Sequence, residues 1–122
     1  MSNSVLVVED DHELQTLLER TLKQRGYDVQ CAASIVEAVK TLNEAADLCL
    51  VLWDPTTLPL TGSIVALAGR LRVHIATIPV GITATGVTPD GSPIVAKRLT
   101  SIDAVLSVMR QHCPGVEEQA LV

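Results

Sequence analysis

Five side chains suited to phosphoryl chemistry stand at the ends of apolar runs in this chain. Glu9 and Asp10, with Asp11 beside them, follow Val5-Leu6-Val7-Val8, and Asp54 follows Leu48-Cys49-Leu50-Val51-Leu52-Trp53. Thr83 follows Val80-Gly81-Ile82, and Lys97 follows Ile94-Val95-Ala96. If these runs are parallel strands of one sheet, their C-terminal ends share one edge, the edge at which open α/β sheets bind ligands. Three carboxylates, a hydroxyl and an ammonium then converge. A carboxylate is a poor nucleophile toward an anionic phosphoryl group. Clustered carboxylates also repel: two unit charges about 4–5 Å apart cost roughly 3–4 kcal/mol at an effective dielectric near 20. A divalent cation relieves both problems, and Mg²⁺ favours oxygen ligands. The pattern points to metal-assisted phosphoryl transfer onto an aspartate.

The elements that must hold these residues alternate between two periodicities. Ser4–Val8 reads as a buried strand. Asp11 caps a helix to about Arg25, striped by Leu14, Leu17, Leu18 and Leu22, with Gly26 as its stop. Tyr27–Cys31 reads as a second strand. Ser34 caps a second helix, striped by Ile35, Ala38, Val39 and Leu42. Leu48–Trp53 is the most apolar run and predicts a central strand covered on both faces. Pro55 and Pro59 make 54–61 a loop, and Gly62–Arg72 a third helix. Ile78–Ile82 is expected as the fourth strand and Ile94–Ala96 as a short fifth. Ile102, Val105, Leu106 and Met109 stripe a last helix. Strands alternating with helices imply right-handed βαβ units and a doubly wound α/β parallel sheet.

Composition narrows the function. A chain of 122 residues is one domain with one core; residues 1–112 form it and 113–122 read as a tail. Hydrophobic residues at 48 % and charged residues at 19 % fit a globular chain rather than a disordered one. No run reaches membrane-span length, and Met1-Ser2-Asn3-Ser4 lacks a signal-peptide pattern; a cytoplasmic location with no membrane partner is expected. A net charge of −5 without a basic cluster argues against direct nucleic-acid binding. Cys31, Cys49 and Cys113 are odd in number and far apart, and fit reduced thiols better than a disulfide frame or zinc site. His12, His74 and His112 are scattered and read as surface or structural.

The chain resembles the receiver domain of two-component response regulators over about residues 4–110. Val5-Leu6-Val7-Val8-Glu9-Asp10-Asp11 is similar to the family's first strand and acidic pair. Asp54 and Gly62 have the spacing of its phosphoacceptor and the glycine opening its third helix. Pro79-Val80-Gly81-Ile82-Thr83-Ala84 resembles its fourth strand and switch threonine, and Lys97 its lysine. The resemblance implies a flavodoxin-like five-stranded parallel sheet in order 2-1-3-4-5, the order the general rule for doubly wound sheets already illustrates with a receiver. It implies phosphorylation of Asp54 by a histidine kinase or phosphotransfer protein. Mg²⁺ would be held by Glu9, Asp10, Asp54 and the backbone carbonyl of Thr56, with Thr83 and Lys97 binding the phosphoryl oxygens. No enzymatic activity is implied beyond the receiver's own phosphotransfer and dephosphorylation.

Departures from that pattern gather after Thr83. The stretch from Thr83 to Lys97 is about two helical turns short of the family's usual length, so the fourth helix is expected to be replaced by a loop near 85–93. Ile94 stands at the aromatic switch position and offers no ring. Arg98 follows the lysine where the family usually has proline. A cis Lys97–Arg98 bond would cost about 3–4 kcal/mol, so either a trans bond with a rearranged loop or retained strain is expected. The exposed sheet face left by the missing helix is a candidate surface for a downstream protein partner or a homodimer through a non-standard face. Two functions follow: a phosphoacceptor receiver signalling through protein contacts, or a phosphorylation-independent pseudo-receiver acting as a protein-binding module.

Overall fold

The computed structural model describes residues 3–45, 47–56 and 58–113; the expected tail at 113–122 lies outside them except for Cys113. The elements run β1 (Ser4–Val8), α1 (His12–Gln24), β2 (Asp28–Ala32), α2 (Ile35–Glu44), β3 (Leu48–Trp53), α3 (Gly62–Arg70), β4 (His74–Thr77), β5 (Val80–Val87), β6 (Pro93–Leu99) and α4 (Ile102–His112). β2, β1, β3 and β4 form a four-stranded sheet in that order, every pair parallel. Period-two alternation gives that sheet two apolar faces. Val5, Val7, Leu50 and Leu52 pack with Leu14, Leu18 and Leu22 of α1 and Val105, Leu106 and Met109 of α4. Leu6, Val8, Val51 and Trp53 pack on the other face with Ala38 and Leu42 of α2 and Ile64 of α3. A sheet covered on both faces explains why β1 and β3 carry near-continuous apolar runs.

Local chemistry sets the helix boundaries. Asp11 accepts from the Leu14 N–H at 3.1 Å, and Ser34, Thr61 and Ser101 cap α2, α3 and α4 in the same way. α1 and α3 end alike. The Tyr27 N–H reaches the Leu22 carbonyl and the Gly26 N–H that of Lys23; Val73 and Arg72 repeat the pair with Ala68 and Gly69. Both are Schellman ends, which need a left-handed residue. Gly26 supplies it at φ 90°, but Arg72 must adopt φ 59°. Arg72→Gly should therefore stabilise the fold by about 0.5–1 kcal/mol, read as a higher midpoint in urea with an unchanged slope. A lower midpoint would show that the Arg72 side chain contributes more than its backbone costs.

Downstream of β3 the expected order fails in two places. The fourth strand is His74–Thr77, not Ile78–Ile82. Pro79 cannot donate to a ladder, and the run containing it does not join the sheet. The true β4 is an edge strand, half-exposed and weakly apolar, so its signature was the fainter. The five-strand order is likewise corrected: the expected fifth strand lies within β6, which pairs antiparallel with β5 in a separate two-stranded hairpin. No helix separates β4 from α4 among the described residues. The expected loss of the fourth helix is met, but by a hairpin rather than a loop, and Thr85 to Val87 belong to β5. Its tip is Thr88-Pro89-Asp90-Gly91-Ser92. There the Thr88 N–H donates to the Ser92 carbonyl at 2.7 Å, the Ser92 N–H to Asp90 Oδ1 at 3.1 Å, and Gly91 takes φ 88°. This is turn chemistry between two β-branched runs, a hairpin signal legible in the sequence. The described peptide bonds are all trans, Lys97–Arg98 included; the rearrangement expected around a trans bond is the hairpin.

Candidate functional site

Backbone pairing brings the acidic residues together. β1 and β3 are neighbours in register, with Val8 opposite Trp53, so Glu9 and Asp54 leave the sheet side by side. The Glu9 N–H continues the ladder to the Ala32 carbonyl, and the Asp54 N–H to that of Val8, both at 3.0 Å. Both carboxylic side chains are fully buried. Ligand oxygens of Glu9, Asp10 and Asp54 lie within 4.8 Å of one another. Lys97 arrives from β6. Its Nζ donates to Asp54 Oδ2 at 2.8 Å, to Glu9 Oε1 at 3.0 Å and to Asp10 Oδ1. Backbone donors complete the cradle: Asp11 N–H to Glu9 Oε1 at 2.8 Å and Thr56 N–H to Asp54 Oδ1 at 2.9 Å.

These contacts divide the carboxylates electrostatically. Burial, and then the neighbouring Asp54 carboxylate, push Glu9 up to about 8, so it holds a proton at neutral pH. Asp54 goes the other way. Burial would raise it, but hydrogen bonds from Glu9, Lys97 and Thr56 prevail and hold it well below the usual carboxylate range. Lys97 is raised above the usual lysine value: burial opposes its charge, and the bonds to Asp10, Asp54 and Glu9 outweigh it. The centre at neutral pH is thus an ionised Asp54 against a charged Lys97, with a neutral Glu9 beside them.

The donor set fits a small hard cation. It is all oxygen, and Glu9 Oε2 is buried with no hydrogen-bond partner among the described residues. A bound cation would displace the Glu9 proton and take this oxygen as a ligand.

The structure unites Glu9, Asp10, Asp54 and Lys97 as expected, with Thr56 at the rim. Thr83 is different. It sits opposite Ala96 inside the hairpin rather than at the end of a sheet strand, and its side chain lies outside the described ones. The hydroxyl-bearing residue that ends β4 is Thr77, paired with Trp53 one position before Asp54. Sequence reasoning missed it because the stronger apolar run claimed the fourth strand.

The cysteine expectation is overturned. Cys49 and Cys113 are disulfide-bonded, with Cα atoms 5.9 Å apart across 64 positions of sequence, and Cys31 is the free thiol. Sequence distance hid the pair, because the parallel sheet brings the start of β3 beside the end of α4. The thiol argument for a reducing compartment therefore does not hold for these two residues. Two of the scattered histidines also meet: His74 and His112 stack with ring centroids 3.9 Å apart. No described helix is long and apolar enough to cross a membrane.

Comparison with solved structures gives the same architecture. A response regulator receiver protein from Pseudomonas putida superposes with a TM-score of 0.55 at 26 % identity, over 64 % of this chain and 68 % of that one. The receiver domain of the hybrid histidine kinase CckA matches with a TM-score of 0.55 at 20 % identity, over 89 % and 97 %. A structure described as an adenylate cyclase from Rhodopirellula baltica matches with a TM-score of 0.62 at 12 % identity, over 98 % and 93 %. No family model and no curated protein matches the sequence. The chain has the fold of response regulator receiver domains, and its likeness to the 26 % identical receiver protein supports a receiver role in two-component signalling.

Proposed function

We propose that this chain is a phosphoacceptor receiver that takes a phosphoryl group on Asp54 and passes the change to a protein partner. The observation that carries this reading is the convergence of Glu9, Asp10, Asp54 and Lys97 at the carboxyl edge of a receiver-like sheet. Glu9, Asp10, Asp54 and the Thr56 carbonyl would hold Mg²⁺, which when bound neutralises charge on the carboxylates and the incoming phosphoryl group. The chain supplies the rest. The Thr56 N–H fixes Asp54 Oδ1, leaving Oδ2 on the Lys97 side to attack phosphorus. The bond from phosphorus to the donor histidine breaks as the bond to Asp54 forms. Lys97 then exchanges its carboxylate contact for a phosphoryl oxygen. Thr77 or Thr83 supplies the hydroxyl contact to a second oxygen.

The donor is a histidine kinase or a phosphotransfer protein, met in the cytoplasm. A groove of about 390 Å³ beside the site gives such a partner purchase. Asp11, Glu13, Leu14 and Leu17 of the α1 region line one wall, and Lys97, Arg98 and Leu99 the other. Output runs through the hairpin, which carries Lys97 and leaves Ile82, Val87 and Ile94 exposed. One observation favours the second reading, a pseudo-receiver. Lys97 already bridges all three carboxylates, so the pocket's negative charge is partly offset without metal or phosphate.

Incubation with Mg²⁺ and acetyl phosphate separates the two. The phosphoacceptor reading expects one phosphoryl mass increment on the intact chain and none on Asp54→Asn. It also expects a change in Trp53 emission, since the Trp53 indole N–H donates at 2.7 Å to the Leu58 carbonyl in the loop after Asp54. An unmodified wild-type chain with unchanged emission would leave the pseudo-receiver as the function.

A further inference from the structure

We propose that Cys49 and Cys113 form a redox-sensitive latch that locks the C-terminal end of α4 to the base of the central strand. Cys113 caps the C-terminal end of α4, and Cys49 is the second residue of β3. Asp54 stands five positions beyond Cys49, about 16 Å at the rise of a strand, so the latch lies at the sheet end remote from the phosphoryl site and does not depend on it. Several contacts converge there. The Tyr27 hydroxyl donates to the Cys113 carbonyl at 3.1 Å in a buried setting, and His112 stacks on His74. Met109, one turn earlier, is fully buried against the core.

Three features make the bond a switch rather than only a staple. First, its two residues differ in exposure: Cys113 is 2 % exposed while Cys49 is partly exposed. A thiolate from solution therefore attacks Cys49. Second, the third thiol stays out of the exchange. Burial and the hydrogen bond to Glu19 push Cys31 up to about 12, so it is not a thiolate at neutral pH and does not reshuffle the pair. Third, the bond ends on a helix terminus. Opening it lets one helical turn leave without breaking the sheet ladder, a local rather than global event.

The reaction balances with a dithiol as the reductant. One dithiol thiolate attacks Cys49 Sγ, the S–S bond breaks, and Cys113 leaves as a thiolate that takes up a proton. The second dithiol sulfur then attacks the mixed disulfide at the reductant's own sulfur and releases Cys49. Two electrons pass to the protein, and the reductant becomes a disulfide. On the proposed function, which places the chain among cytosolic thiols, a disulfide of this kind is usually a transient or sensing one.

The test compares one chain in two redox states. After oxidised glutathione, denaturation and alkylation, wild-type protein should carry one alkylated cysteine, Cys31, and a linked Cys49–Cys113 peptide. After dithiothreitol it should carry three. Reduction should lower Tm by about 10 °C, given the long loop the bond closes, and should raise amide exchange selectively in the last turn of α4. Cys49→Ser should match the reduced form and ignore dithiothreitol, while Cys31→Ser should respond like wild type. Three alkylated cysteines after oxidation would overturn the latch. So would redox forms with equal Tm and equal exchange in α4.

Discussion

Replacing Lys97 with alanine should destabilise the domain by about 3–5 kcal/mol at pH 7 in the absence of Mg²⁺. Lys97 is the cation among three carboxylates, two of them fully buried. Removing it leaves the buried Asp54 carboxylate without the ammonium at Oδ2. The unpaired charge, more than the lost attraction, sets the cost. Two further signs identify the cause. Lowering the pH toward 4 should shrink the difference between variant and wild type, because a protonated Asp54 no longer needs the ammonium. Millimolar Mg²⁺ should restore part of the variant's stability by mass action if the carboxylates hold the ion. Urea unfolding at several pH values, with and without Mg²⁺, reads all three. A loss below about 1 kcal/mol would mean that the centre admits water and screens as a surface pair does.

Glu9→Gln should do the opposite, and only at high pH. The Glu9 carboxyl is raised to about 8 in the fold by burial and by Asp54, above its ordinary value near 4.5 in the unfolded chain. A group whose folded value is raised contributes fully below the unfolded value. It loses that contribution as pH climbs from about 4.5 to about 8, because the unfolded chain releases its proton first. Glutamine keeps the shape and stays neutral throughout. Its carbonyl oxygen can accept from the Asp11 N–H and from Lys97 as Glu9 Oε1 does. The variant should therefore match wild type near pH 4.5 and exceed it by about 2–4 kcal/mol above pH 8. Asp54 has the reverse sign: its lowered value supports the fold at neutral pH and withdraws that support only in strong acid. Tm profiles from pH 4 to 9 give the comparison. Parallel profiles across that range would show that Glu9 ionises as freely in the fold as outside it.

Both predictions concern residues that were legible before any coordinates. Apolar runs ending in Glu9-Asp10 and in Asp54 named the chemistry, because a buried parallel strand must be apolar along its length and can turn polar only where it leaves the sheet. Two helix starts were equally plain, since Asp11 and Ser34 each stand where orphan N–H groups need an acceptor. Lys97 was placed correctly although the strand carrying it was not. An ammonium on a long stem finds clustered carboxylates from either orientation of its backbone.

The sequence by itself determined the doubly wound class and the acidic centre, both consequences of local periodicity and spacing; the loss of a helix between Thr83 and Lys97 was legible only against the receiver resemblance. Only the tertiary structure decided which weak strand completes the sheet, how the short segment folds, and which distant residues meet. β4 wins its place through backbone pairing with β3, which a half-exposed edge strand scarcely advertises. Val80–Leu99 becomes a hairpin because Pro79 removes a donor from the ladder and Asp90-Gly91 makes reversal easy. Cys49 finds Cys113, and His74 finds His112, because a parallel sheet with helices on both faces folds sequence-distant ends onto one edge. Such long-range neighbours are set by topology, and no local pattern records them.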